Sequence, residues 1–147
     1  MFVNTDYLRN DEIKLVLERT DPGNAEKQWV PAYHFAICSP EGVKIGICDL
    51  RLGHNGRTYY GGNIGYEIYE EFRGHHYAAK ACRLLFELAK KHDLGYVLIT
   101  CRPDNAASRK TCEYLGCRFL EEAEVTPDCG LPQDGRKTQC IFRMDLY

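Results

Sequence analysis

At 147 residues the chain is long enough to bury roughly 70% of the surface its unfolded form exposes, so one core can hold it without disulfides or metals. With 44% hydrophobic and 27% charged residues it reads as a globular domain over residues 1–147 and not as a disordered segment. Nineteen basic against twenty-one acidic side chains, a net charge of −2, argue against a nucleic-acid binder, and no apolar run approaches the ~20 residues that span a bilayer. The opening residues Met1 to Asp6 lack the basic and apolar stretches of a secretory leader.

Ile13 to Leu17 reads as a first strand, broken by Thr20-Asp21-Pro22-Gly23-Asn24, with a loop or short helical turn continuing to Pro31. Tyr33 to Cys38 is a second strand closed by the turn Ser39-Pro40-Glu41-Gly42, and Lys44 to Leu52 a third. Asn55-Gly56 is a strong short hairpin signal, leading to a fourth strand over Asn63 to Tyr69 and completing an antiparallel meander. The period then changes. Tyr77, Ala81, Leu84, Leu85, Leu88 and Ala89 recur at helical spacing, with Lys80, Arg83, Glu87, Lys90 and Lys91 on the other faces and Gly95 placed to end the helix. Tyr96 to Cys101 is a continuous apolar run, as in a strand covered on both faces, and strand, helix and strand together predict a right-handed parallel crossover. A second helix opens near Pro103-Asp104-Asn105, with Asp104 or Asn105 as its cap, and closes at Gly116. Cys117 to Leu120 starts another strand, Thr126 to Gly135 is a loop, and the last strand alternates Cys140, Phe142, Met144 and Leu146 with their neighbours. The sum is an α/β chain: a mixed sheet flanked by helices.

The eight cysteines, Cys38, Cys48, Cys82, Cys101, Cys112, Cys117, Cys129 and Cys140, are scattered through apolar segments without a CxxC pair. That pattern predicts buried, reduced thiols in a cytoplasmic protein, with no zinc ribbon and no redox motif. His75-His76 has no further ligands at metal spacing, so no metal is expected.

The chemistry is concentrated between Gly62 and Leu120. A strand ending at Tyr69 turns through Glu70 to His76 into a helix, whose first N–H groups lack intrahelical partners and whose dipole favours an anion; Arg73 adds a cation just before it. Ile64-Gly65-Tyr66-Glu67-Ile68 followed by Arg73-Gly74-His75-His76-Tyr77-Ala78 resembles the acetyl-CoA-binding motif of the GCN5-related N-acetyltransferase (GNAT) superfamily, Q/R-x-x-G-x-G/A. Asp104-Asn105-Ala106-Ala107-Ser108-Arg109 with Tyr114-Leu115-Gly116-Cys117 resembles the second motif of that family, on the expected element and in the expected order.

The resemblance implies a mostly antiparallel, splayed sheet of the acyl-CoA N-acyltransferase fold, with the acyl-pantetheine arm inserted where two strands part. It implies that backbone groups at Ile68 and Tyr69 bond the arm, that Arg73, Gly74, His75, His76, Tyr77 and Ala78 hold the pyrophosphate, and that Asn105, Ser108 and Arg109 (or Lys110) complete the cofactor site. The implied activity is transfer of an acetyl group from acetyl-CoA to a primary amine, small molecule or protein, without a membrane partner; a homodimer stays open. A catalytically weak or inactive CoA-binding module on the same fold is the alternative. Glu67 is the candidate base, acting directly or through a water with its pKa raised by burial; Tyr114 or Tyr66 is the candidate acid. His34 reads as an ordinary strand residue, and Cys112 as a nucleophile would need a depressed pKa that nothing in the sequence supplies. Three positions depart from the family: His76 stands where the motif has glycine, Cys112 where many members have the acidic tyrosine, and the segment between the first two strands is short where many members carry two helices of the acceptor site.

Overall fold

The strand and turn signals of the first half do fold as a meander. A computed structural model describes residues 2–125 and 138–147; the predicted loop over Thr126 to Gly135, and Cys129 within it, lie outside them. Strands β1 (Lys14–Asp21), β2 (Ala32–Cys38), β3 (Lys44–Arg51) and β4 (Ile64–Ile68) pair antiparallel in the order β1-β2-β3-β4. In β2 the alternate residues Tyr33, Phe35 and Ile37 are wholly buried in the main core, and Ala32, Ala36 and Cys38 on the opposite face are nearly so. Strand β1 is the edge, and it carries Lys14, Glu18 and Arg19 with a bulge between Leu17 and Arg19, features that discourage pairing with another chain. Between β1 and β2 there is only a 3-10 turn, Ala25–Lys27, capped by Asn24 Oδ1 at 3.2 Å from Lys27 N. The region between the first strands is shortened, as the sequence predicted.

Two local expectations are corrected. Asn55-Gly56 is not a two-residue hairpin turn but the start of a short helix, α1 (Gly56–Gly61). Thr58 decides this: Asn55 Oδ1 accepts Thr58 N at 3.0 Å, and Asn55 N donates to Thr58 Oγ1 at 2.8 Å, a reciprocal capping box that a tight turn cannot offer. The long helix, α2 (Tyr77–Lys91), ends before Gly95, because Asp93 takes the left-handed conformation at φ 59°. Asp93 N then donates to Lys90 O (3.0 Å) and Leu94 N to Ala89 O (3.1 Å), which closes the terminus two residues early.

Strands β5 (Tyr96–Cys101), β6 (Arg118–Glu124) and β7 (Thr138–Asp145) form a second antiparallel sheet in the order β5-β7-β6, and α3 (Ala106–Leu115) connects β5 to β6. Helix α2 buries Ala81, Cys82, Leu85, Leu88 and Ala89 in the same core as Tyr33, Phe35 and Leu50, and packs beside α3. Cys38, Cys48, Cys82, Cys101, Cys112 and Cys140 are buried free thiols and Cys117 is a half-buried one, so the described cysteines are unpaired as the sequence predicted. Among the described residues no helix is long and apolar enough to cross a membrane.

The predicted crossover from β4 to β5 runs between the two sheets, which share no ladder, so the strands part as a splayed sheet must. Both sheets pack on one core, and among the described residues Asn63 ties them by hydrogen bonds. Asn63 is fully buried; its Nδ2 donates to Arg51 O (3.0 Å) and Gly53 O (2.7 Å), and its Oδ1 accepts Leu98 N (2.9 Å). Its own backbone N donates to Leu98 O (2.7 Å) and its carbonyl accepts Arg51 N (2.7 Å). The side chain ties the end of β3 to the middle of β5, and from that point the strands diverge.

Asn63→Ala should lower the unfolding free energy by about 3 kcal/mol, because three buried polar groups lose their partner at roughly 1 kcal/mol or more each. Urea unfolding checks this; a loss below ~0.5 kcal/mol would mean that the sheets are held together by packing alone.

Candidate active site

The divergence of β4 from β5 opens a cleft of ≈ 750 Å³, within the size range of ligand sites. One wall is Ile64 to Ile68 of β4; the other is Thr100, Cys101 and Arg102 at the end of β5. The mouth is set by the two helix starts, with Gly74, His76, Tyr77 and Ala78 on α2 and Asn105, Ser108 and Lys110 on α3. Three cations, Arg73, Arg102 and Lys110, face it against one carboxylate, Glu67, a balance that favours a polyanion.

The start of α2 is built by two left-handed residues, Gly74 (φ 94°) and His76 (φ 60°), with Lys80 N donating the first intrahelical bond to His76 O at 3.0 Å. The N–H groups of Tyr77, Ala78 and Ala79 precede that bond and lie at the positive end of the helix dipole. The backbone conformation explains why the family motif prefers glycine at the position of His76. The histidine tolerates it with its ring stacked on Tyr114 (centroids 4.3 Å, planes 10° apart), over which the Arg83 guanidinium sits at 5.2 Å. A Cβ on Gly74 would meet nothing within 4 Å, so glycine is there for its φ and not for lack of space. Arg73 Nε donates to Ile68 O at 3.0 Å, which anchors the exposed guanidinium to the end of β4.

Helix α3 presents a hydroxyl pair to the cleft. Asn105 caps it, with Oδ1 accepting Ser108 N at 3.1 Å, and Ser108 Oγ lies 2.7 Å from Tyr66 Oη. Burial pushes the Tyr66 phenol well up, against a smaller opposing effect of the Ser108 hydrogen bond, so Tyr66 is protonated throughout the neutral range.

Of the sequence-predicted site residues, Glu67, Ile68, Arg73, Gly74, His76, Tyr77, Ala78, Asn105 and Ser108 line this one cleft. Four do not. Tyr69 is spent on the fold: its N donates to Ile45 O (3.0 Å) and its carbonyl accepts Phe72 N (2.9 Å). His75 contributes its carbonyl to Lys80 Nζ at 2.9 Å, and Arg109 turns its guanidinium to Pro103 O at 3.2 Å, leaving Lys110 as the cleft cation of α3. Tyr114 is 51% exposed and stacked on His76 outside the cleft lining, so of the two candidate acids Tyr66 is the one in the cleft. Glu67 lines the cleft and is exposed, so its carboxylate is solvated. Cys112 is fully buried, and its hydrogen bond with Cys117 together with burial pushes its thiol up, which excludes it as a nucleophile. Sequence reasoning missed Thr100, Cys101, Arg102 and Gln139, whose place on the cleft depends on which strands become neighbours.

A second cavity of ≈ 390 Å³ lies on the face of the first sheet that carries His34, Asp49 and Arg51, with Trp29 from the β1–β2 segment and Arg57 and Thr58 from α1. It shares Gly61 with the cleft. His34 sits on β2 opposite Asp49, with Nδ1 3.8 Å from Asp49 Oδ2, and burial lowers its pKa, keeping the imidazole neutral.

The family model for the acetyltransferase (GNAT) domain matches residues 4–118. No curated protein matches the sequence. Among solved structures, the chain is similar to a probable acetyltransferase (23% identity, TM-score 0.61, 78% of this chain on 62% of that one). It is similar to the microcin C7 self-immunity acetyltransferase MccE in complex with acetyl-CoA and AMP (21%, TM-score 0.61, 78% on 61%). It is also similar to an acetyltransferase from Salmonella typhimurium that modifies the N-terminal serine of ribosomal protein L7/L12 (17%, TM-score 0.60, 82% on 66%). The chain spans 61–66% of the length of these structures, and at such identities the likeness is one of fold.

His76→Gly should leave stability within about 0.5 kcal/mol of wild type, since relief of a left-handed side chain is offset by the looser unfolded chain. His76→Val puts a branched side chain at the same φ and should cost about 2 kcal/mol. Equal unfolding midpoints for the two variants would show that the left-handed turn does not persist in solution.

Proposed function

The chain belongs to the GNAT acetyltransferase family, and from that premise we propose that it transfers an acetyl group from acetyl-CoA to a primary amine. The observation that carries the reading is the cleft at the parting of β4 and β5, which joins a helix start suited to an anion to a half-buried phenol. The residues present fit the cofactor. Gly74 and the N–H groups of Tyr77 to Ala79, with Arg73, suit a pyrophosphate; Arg102 and Lys110 suit the remaining phosphate charge; Ile64, Ile68 and Ala107 give an apolar run for the arm. Acetyl-CoA, when bound, supplies an activated thioester.

The protein's own groups handle protons. When Ser108 Oγ–H donates to Tyr66 Oη, the phenolic hydrogen is free to face the cleft, where it lies in place to protonate a departing thiolate. Tyr66 thereby takes the part that many family members give to a tyrosine at the position of Cys112. Glu67, exposed on the same strand, accepts the proton of the acceptor ammonium through solvent. The acceptor enters from the second cavity, which opens on Gly61 and offers Trp29, Asp49 and neutral His34. The free thiols fit a reducing compartment such as the cytoplasm.

Acetyl-CoA offered with a panel of amines (amino acids, polyamines, peptide N-termini, lysine peptides) should release free thiol with at least one of them, above the rate of hydrolysis. Thiol release no faster than hydrolysis across the panel would count against the reading. Tyr66→Phe should lower kcat by about 10²-fold with CoA affinity nearly unchanged, and Glu67→Gln should lower it by a comparable factor. Full activity in Tyr66→Phe would assign the acid elsewhere.

A further inference from the structure

Gln139, on β7, lines the cleft and is 4% exposed. Its amide nitrogen is committed twice, donating to Tyr60 O at 3.1 Å and to Thr100 Oγ1 at 3.3 Å. Thr100 Oγ1 itself donates to Tyr60 O at 2.9 Å, so towards Gln139 it can only accept. Both neighbours therefore demand a donor, and this fixes which end of the Gln139 amide is nitrogen. The other end, Oε1, is buried and meets no donor among the described residues. A buried carbonyl oxygen without a partner costs roughly 1–3 kcal/mol, and it persists in a folded protein where something other than the chain satisfies it.

We propose that Gln139 Oε1 is a binding group of the cleft, receiving an amide N–H of the acyl-pantetheine arm. This rests on the reading of the cleft as an acetyl-CoA site. A ligand with its phosphates at the start of α2 extends its arm along β4 toward Gly61, where the walls close on Asn63 and Leu98. Gln139 lines that closed end with Thr100 and Gly61, and the arm brings secondary amide N–H groups, each needing an acceptor once it leaves water. Each partner removes the other's unsatisfied group. Thr100 and Tyr60 act as positioning groups, holding the amide so that oxygen and not nitrogen is presented.

The test compares two probes on the full chain by calorimetry: CoA, and 3′-phosphoadenosine 5′-diphosphate, which keeps the phosphates and lacks the arm. Gln139→Met retains the length of the side chain and removes the acceptor. It should weaken CoA by about tenfold, the loss of one buried hydrogen bond, and leave the nucleotide affinity unchanged. A second readout needs no variant: the side-chain amide NMR signals of Gln139 in wild type should move on adding CoA and stay in place with the nucleotide alone. A folded Gln139→Met that binds CoA as wild type does, or amide signals that respond equally to both probes, overturns the proposal while wild-type CoA binding stands. A wild-type chain that binds neither probe overturns the acetyl-CoA reading, and this proposal with it.

Discussion

The structure depends on how two sheets are joined at one point and left apart elsewhere, and Asn63 makes the joint. A primary amide is the side chain suited to it, because it offers two donors to the carbonyls of Arg51 and Gly53 and an acceptor to the N–H of Leu98. Were ladder hydrogen bonds to continue past this point, β4 and β5 would close into one sheet and no cleft would exist. The unpaired inner edges of the two strands are instead left facing a space of ≈ 750 Å³. Free strand edges at the centre of a fold carry unmet backbone polarity, and an extended ligand with amide groups answers it as another strand would.

The helices then furnish what the strands cannot. Helix α2 begins through a turn containing Gly74 and His76 in left-handed conformations, so its free N–H groups face the mouth of the cleft. Helix α3 begins at Asn105, and the cap bond to Ser108 N sets the rotation that places the Ser108 hydroxyl against Tyr66. The α3 start rests on a local cap bond, while the α2 start has no side-chain cap and rests on its left-handed turn and on the stacking of His76 against Tyr114. Cys112 is packed into the core with Cys117 and does not line the cleft, whereas the Tyr66 phenol on β4 does, which is why the proposed reaction takes Tyr66 as its acid.

The short connection between β1 and β2 has a different consequence. Only a 3-10 turn spans the segment between β1 and β2, so the face of the first sheet holding His34, Asp49 and Arg51 is covered by little more than Trp29 and α1. Asp49 is nevertheless satisfied, accepting Gly65 N at 2.8 Å and pairing with Arg51 Nη2 at 3.3 Å. The carboxylate thus links the second cavity to the strand that walls the cleft.

By itself the sequence determined most of the secondary structure and the glycine-containing turn that opens α2 at the cleft. Alternation and apolar runs located the strands, helical spacing located α2 and α3, and the motif residues Arg73, Gly74, His76, Tyr77 and Ala78 with Asn105 and Ser108 do converge on one cleft. These signals are legible because they are local: side-chain period, caps and left-handed turns are settled within a few residues. It misjudged Asn55-Gly56 and Gly95, where Thr58 and Asp93 supplied competing local bonds that a dipeptide signal does not weigh. What only the tertiary structure decided is which side chains from distant strands meet. Asn63 read as no more than the start of a strand, Gln139 fell in a strand read only for its alternation, Tyr114 looked equal to Tyr66, and the exposure of Glu67 stayed open. Their roles follow from the order β5-β7-β6 and from the point at which β4 leaves β5. Those are long-range pairings, fixed by the burial of a shared core and invisible to any short window of residues.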